Sequence, residues 1–258
     1  MTTPEVNCFF KKPPLIEICY SIQFEPNNNI HIGLMGLAWS IYKSRYPVVQ
    51  NGQDIQHTVE KFGIIEREPM FTLTNKAPEP RALFNSESGE YIIQLQKDRF
   101  MFNWRKATDE CEYPNYPFLI DKFWKEYQLY LDFLKENDVL IPDINQVEFT
   151  YVNQIDAVKN SVEDVFDNFA NHERFESDLE LESFDIKRKQ LIKLENEPVG
   201  RLYTEINKAN LKHDGSDVFI LKFISRVHPK DSSKESVGES MENMRKLINK
   251  SFEHLTTD

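Results

Sequence analysis

Two ten-residue stretches half a chain apart constrain this sequence more than any other feature. Leu15-Ile-Glu-Ile-Cys-Tyr-Ser-Ile-Gln-Phe24 and Gln146-Val-Glu-Phe-Thr-Tyr-Val-Asn-Gln-Ile155 both read as strands. At an offset of 131 positions Glu17 meets Glu148, Tyr20 meets Tyr151 and Gln23 meets Gln154. Side chains alternate across a strand. In the first stretch Ile16, Ile18, Tyr20 and Ile22 therefore share one face, and Glu17, Cys19, Ser21 and Gln23 share the other. That is the pattern of a sheet with one packed and one more polar face.

The elements after each stretch come in the same order. The first is followed by an expected helix over about 30–45, capped from Asn27-Asn28-Asn29. Its apolar stripe is Ile30, Leu34, Leu37, Ala38, Ile41 and Tyr42, and Tyr46-Pro47 ends it. Residues 54–62 suit a short helix. Strands are expected at 70–74 running into 81–85, at 91–97 and at 99–105, the last two joined tightly at Lys97-Asp98. A helix over about 118–136 follows, with a broad stripe from Leu119 to Leu134. The second stretch is followed by an expected helix at 161–170, strands at 179–194, 200–210 and 217–227, and a helix over about 236–255.

The expected fold class is therefore α+β, with two pseudo-repeats of strand, helix, three strands and helix. The halves are 1–142 and 143–258, together one continuous structural unit. Joined edge to edge, such halves form a curved antiparallel sheet that protects its edges and carries helices on one face. The duplicated saddle of the TATA-box-binding protein and the helix-grip folds have this general form, an analogy that carries no function.

Composition narrows the classes. Of the 258 residues 40% are hydrophobic, and 19 Phe with 10 Tyr supply a core that a disordered chain lacks. No apolar run approaches the ~18 residues of a membrane helix. The N-terminus has no signal-peptide form. The three cysteines form no CxxC pair, so neither a disulfide framework nor a cysteine metal site is indicated. The expected compartment is the cytoplasm. A net charge of −11, with both halves acidic, argues against the basic footprint of a nucleic-acid binder and is compatible with a basic protein partner. The acidic run Glu173, Glu176, Asp178, Glu180, Glu182 and Asp185 suits a cation or such a partner, or a solvated surface.

The catalytic motifs are missing. The six histidines form no HExxH, and neither a glycine-rich phosphate loop nor GxSxG is present. No catalytic residue, cofactor or metal ligand is assigned. The alternation places Glu17, Ser21, Gln23, Gln94, Gln96, Asn103, Arg105, Glu148, Thr150 and Gln154 on the polar sheet face. That face is a binding groove or an ordinary solvated surface. The candidate binding residues are Asn103, Trp104 and Arg105, then Glu17, Glu148 and Gln154, with Tyr113 and Tyr116 as stacking groups. Arg105 suits a two-pronged clamp on a carboxylate or phosphate, or a salt bridge to Glu17 or Glu148. The rival class is an enzyme or sensor acting on a nucleotide or other small molecule, with the two glutamates as acid and base.

Four motifs carry a resemblance. Pro13-Pro-Leu-Ile-Glu17, Phe102-Asn-Trp-Arg105, Tyr113-Pro-Asn-Tyr116 and Glu148-Phe-Thr-Tyr-Val-Asn153 together resemble a sporadically distributed family of prokaryotic proteins of about this length, a family without a settled function. Phe149 stands where the family pattern has Leu. The resemblance runs from residue 13 to about 155 and is looser beyond. A patchy distribution of this kind implies a horizontally moved gene, and so an accessory, immunity or antitoxin-like role in a mobile or phage-defence locus. The resemblance brings no catalytic residues with it.

Overall fold

A computed structural model describes residues 13–63, 80–140, 143–156, 182–211 and 215–256. Among these, alternating strand sequences build nine strands: β1 (Leu15–Phe24), β2 (Val48–Gly52), β3 (Arg81–Asn85), β4 (Tyr91–Gln96), β5 (Arg99–Arg105), β6 (Ile144–Asp156), β7 (Asp185–Leu194), β8 (Glu197–Asn210) and β9 (Asp217–Val227). The helices are α1 (Ile32–Tyr42), α2 (Tyr116–Glu136) and α3 (Lys234–Thr256). All nine strands join one antiparallel sheet in the order β2-β3-β4-β5-β1-β6-β9-β8-β7. The chain is thus α+β with helices on one face of a large antiparallel sheet.

The two expected strands are the central pair. β1 lies between β5 and β6, with Tyr20 opposite Phe102 on one side and Phe149 on the other. Alternation then assembles the core by itself. Ile18, Tyr20, Ile22, Phe100, Phe102 and Phe149 all face the helices and are fully buried. Tyr20 stacks on Phe149 with ring centroids 4.7 Å apart, and Phe123 of α2 closes over it at 5.4 Å. α3 reaches the same layer through Phe252, whose ring meets Phe223 of β9. α1 reaches it through Tyr42 and Phe84.

α2 begins where Asn115 Oδ1 accepts from the Phe118 amide at 3.1 Å, with Pro117 in the first turn. Its buried Glu126 fixes α1 against it. The Tyr46 hydroxyl and Arg45 Nη2 donate to the carboxylate at 2.9 and 2.7 Å, and the Tyr42 hydroxyl donates to the Glu126 carbonyl at 2.8 Å. α1 is shorter than expected and capped by His31, whose Nδ1 accepts from the Leu34 amide. It buries Met35, Ala38 and Tyr42 and leaves Leu37 exposed.

The expected helix at 54–62 is not formed; the residues run extended across the sheet. The short edge strand β2, ahead of that run, was not foreseen. The strand expected at 70–74, the helix at 161–170 and the first part of 179–194 lie outside the described residues. So does most of the acidic run that begins at Glu173. No helix among the described residues is long and apolar enough to cross a membrane.

Candidate functional site on the polar sheet face

The face away from the helices has two zones. One end is crossed by residues 53–63, a strap that leaves β2 and passes over β4, β5, β1 and β6 to β9 and β8. The sheet holds the strap's main chain with side-chain amides. Gln96 Oε1 accepts from the Ile55 amide at 2.9 Å while its Nε2 donates to the Ile55 carbonyl at 2.8 Å. Gln23 and Gln146 both donate to the Thr58 carbonyl, at 3.0 and 3.1 Å, and Gln146 Oε1 accepts from the Glu60 amide at 3.0 Å. Arg99 Nη2 donates to the Gln56 carbonyl at 3.2 Å. A strand edge offers donor and acceptor in alternation, and a glutamine amide offers the same pair on one group.

Two strap side chains are gripped as well. His57 Nδ1 lies 2.8 Å from Asp98 Oδ2, and the same carboxylate accepts from Arg99 at 2.9 Å. Burial alone would push Asp98 up, but the Arg99 and His57 partners outweigh it and hold the carboxyl below its usual range. Asp98 occupies the two-residue turn between β4 and β5, so the hairpin places it. Glu60 enters a basic socket: Arg201 bonds its Oε2, the Tyr203 hydroxyl donates to Oε1 at 2.7 Å, and Arg226 Nη1 stands 3.6 Å away. Burial and the bond to Glu60 push the Tyr203 hydroxyl up to about 12, so it remains a donor. The socket exists because Arg201 and Arg226 are register partners on β8 and β9. His228 closes the end. Its Nε2 faces the Glu60 carbonyl and its Nδ1 the Asn145 carbonyl, each at 2.8 Å.

The second zone is a relay across four strands. Arg81 Nη1 donates to Gln94 Oε1 at 2.6 Å, Gln94 Nε2 to Asn103 Oδ1 at 2.7 Å, and Asn103 Nδ2 to Glu17 Oε1 at 2.6 Å. Cys19 sits beside it, register partner of both Asn103 and Thr150. Burial pushes its thiol up, and the charges of Glu148 and Glu17 add to this, so it stays a thiol rather than a nucleophilic thiolate.

The expected site residues divide between the faces. Asn103, Glu17 and Glu148 lie on the polar face, and Gln154 shares its register. Glu17 and Glu148 are not neighbours: Glu148 pairs across from Ser21, four residues along β1 from Glu17, roughly 13 Å by strand rise. Glu17 is held by Asn103, and Glu148 accepts from Arg226 Nε at 2.5 Å. Arg105 turns to the edge, where Nε donates to the Gly89 carbonyl at 2.7 Å, rather than to either glutamate. Trp104, Tyr113 and Tyr116 belong to the helix side. Trp104 is buried against Tyr113 at 5.6 Å, and Tyr116 lies under the Arg245 guanidinium at 4.7 Å. They cannot stack on anything held by Asn103.

Glu60, Asp98, Gln146, Arg201, Tyr203 and His228 were not foreseen. The available signal was the run of glutamines at polar-face positions, Gln23, Gln94, Gln96 and Gln146. Among the described residues no group of three or more His, Cys, Asp or Glu side chains is placed to hold a metal. No protein-family model matches the chain, and no curated protein sequence matches it.

Proposed function

We propose that this chain is a non-enzymatic cytoplasmic binding protein that holds a partner on the polar face of its sheet. The observation that carries the reading is the treatment of the strap. Buried glutamine amides take both the N–H and the C=O of an extended main chain, which is how a surface built to hold polypeptide behaves. The relay from Arg81 to Glu17 extends the same polar surface toward the other strand ends. The paired-glutamate enzyme is not carried forward, because each carboxylate has its own partner in a separate place.

The surface belongs, on this reading, to a duplicated fold. Under the 131-residue offset Cys19 corresponds to Thr150, and these two residues face each other at the centre of the β1–β6 pairing. Strand order supports it, since β1-β5-β4-β3 on one side corresponds to β6-β9-β8-β7 on the other. The halves, divided near 143, then form a saddle of the TATA-box-binding-protein kind. An accessory, immunity or antitoxin-like role in a mobile or phage-defence locus follows from the four-motif resemblance, and the acidic balance suits a partner that is basic overall.

Native mass spectrometry of the untagged protein from its own host tests this. A co-purifying partner is expected, and the double variant Asn103→Leu, Glu148→Gln should lose it while circular dichroism stays unchanged. A chain that carries nothing, or a folded double variant that keeps its partner, would overturn the reading.

A further inference from the structure

The strap contacts specify more than a polar surface. Most of them end on main-chain atoms: Ile55 N and O, Gln56 O, Thr58 O, Glu60 N and O, and Lys61 O. Any extended segment supplies those groups. Sequence enters at two places, the Asp98–Arg99 carboxylate that takes His57 and the Arg201–Tyr203–Arg226 socket that takes Glu60. Of the strap's side chains, only that of Glu60 is buried to the level of the core. The hold is therefore polar, and polar groups exchange readily for another chain that offers the same donors and acceptors. Lifting the strap would strip Gln146 and Arg201 of the bonds they make to it, a bias toward a replacement.

We infer that residues 53–63 are an intramolecular occupant of a peptide-binding track. The chain's partner supplies an extended segment with a carboxylate three residues after an imidazole or other base, and this segment takes the strap's place. The inference rests on the proposed binding function and names its ligand. Partner recognition is then competitive with a segment of the chain itself, so affinity is set by the difference between two similar occupants.

The test uses the full chain and a synthetic fluorescent peptide copying residues 51–63. In the chain carrying His57→Ala and Glu60→Gln the strap loses its imidazole and the charge of its carboxylate. Fluorescence anisotropy should show this variant binding the peptide at least tenfold more tightly than the unaltered chain does. A peptide with Gln at the Glu60 position should bind at least tenfold more weakly. Adding Arg201→Ala should erase the difference between the two peptides. Equal binding to both chains, or no preference for the carboxylate, overturns the inference. So does a dimer formed by exchange of straps between copies, which would make a second chain the occupant. Hydrogen exchange on the unaltered chain gives a reading that needs no variant. Excess peptide should speed exchange of the Ile55 and Glu60 amides, and unchanged protection overturns the inference. Partner loss in the Asn103→Leu, Glu148→Gln chain is a separate readout. If it persists while the peptide fails, strap exchange alone is wrong; if both fail, the binding surface is wrong too.

Discussion

On the helix side of β1, Ile18, Tyr20 and Ile22 are covered by aromatic rings from α2, β5 and β6. On the other side Ser21 and Gln23 are nearly as buried, at 2% and 3% exposure, and the cover over Gln23 is a strap held by amides and charges. Equal burial conceals unlike energetics. Apolar packing has no substitute in water, so its loss is felt globally. A buried hydrogen bond nets only about 0.5–1.5 kcal/mol, because water offers competing bonds. The helix face should therefore govern whether the chain folds, and the polar face should govern only what lies on it.

Phe149→Ala gives the largest expected effect. It removes a fully buried ring at the middle of the sheet and should cost about 3–5 kcal/mol in denaturant unfolding, with amide protection lowered throughout. If the loss is confined to the strap, the contrast between faces fails. Gly200→Ala comes next. A Cβ there collides with the Arg226 carbonyl oxygen on the adjoining strand, so β8 and β9 must part, at about 1–3 kcal/mol. Because Arg226 also belongs to the socket, this change should disturb both faces, unlike any other here.

Gln146→Ala should behave in the opposite way to Phe149→Ala. It frees the Glu60 amide and one of two donors to Thr58, and should accelerate exchange of strap amides by roughly tenfold, the equivalent of ~1.4 kcal/mol. The global unfolding midpoint should hardly move. Acid sharpens the same point. Asp98 has its folded value lowered, so its contribution is present above the ordinary carboxyl range near 3.9 and is lost as pH falls through the folded value. Strap protection, followed by hydrogen exchange, should therefore fade below about pH 4, and the Asp98→Asn chain should lack that step. The smallest effect is Tyr20→Phe. The hydroxyl is buried with no hydrogen-bond partner among the described residues, so its removal should leave stability within about 0.5 kcal/mol, or raise it.

The helix face was legible in advance because strand alternation is local. Ile18, Tyr20, Phe102 and Phe149 declare their side by position alone, and the tight turn at Lys97-Asp98 needs only its neighbours. The strap was not legible, and 54–62 reads as a short helix, because its hydrogen bonds come from Gln96, Gln146 and Arg201, far along the chain. A segment whose main chain is bonded by a sheet at Ile55, Gln56, Thr58, Glu60 and Lys61 gains less by coiling on itself. The same locality explains the divided site. Asn103, Trp104 and Arg105 are adjacent in sequence, but alternation sends Trp104 to the core while Asn103 joins the relay. Glu17 and Glu148 match by offset, yet an antiparallel pairing centred on Cys19 and Thr150 sets them on opposite sides of that centre.

The position of β1 has a consequence for synthesis. Of the described strands it is the earliest in the chain and the middle one of the finished sheet, with partners in β5 and β6. At ~5–20 residues per second, β6 emerges on the order of ten seconds later. Ile18, Tyr20 and Ile22 have no flanking strand until β5 is made and only that one until β6 follows. Chains released early, before residue 144, would carry a bare aromatic edge and should be found with chaperones or in aggregates rather than as folded halves.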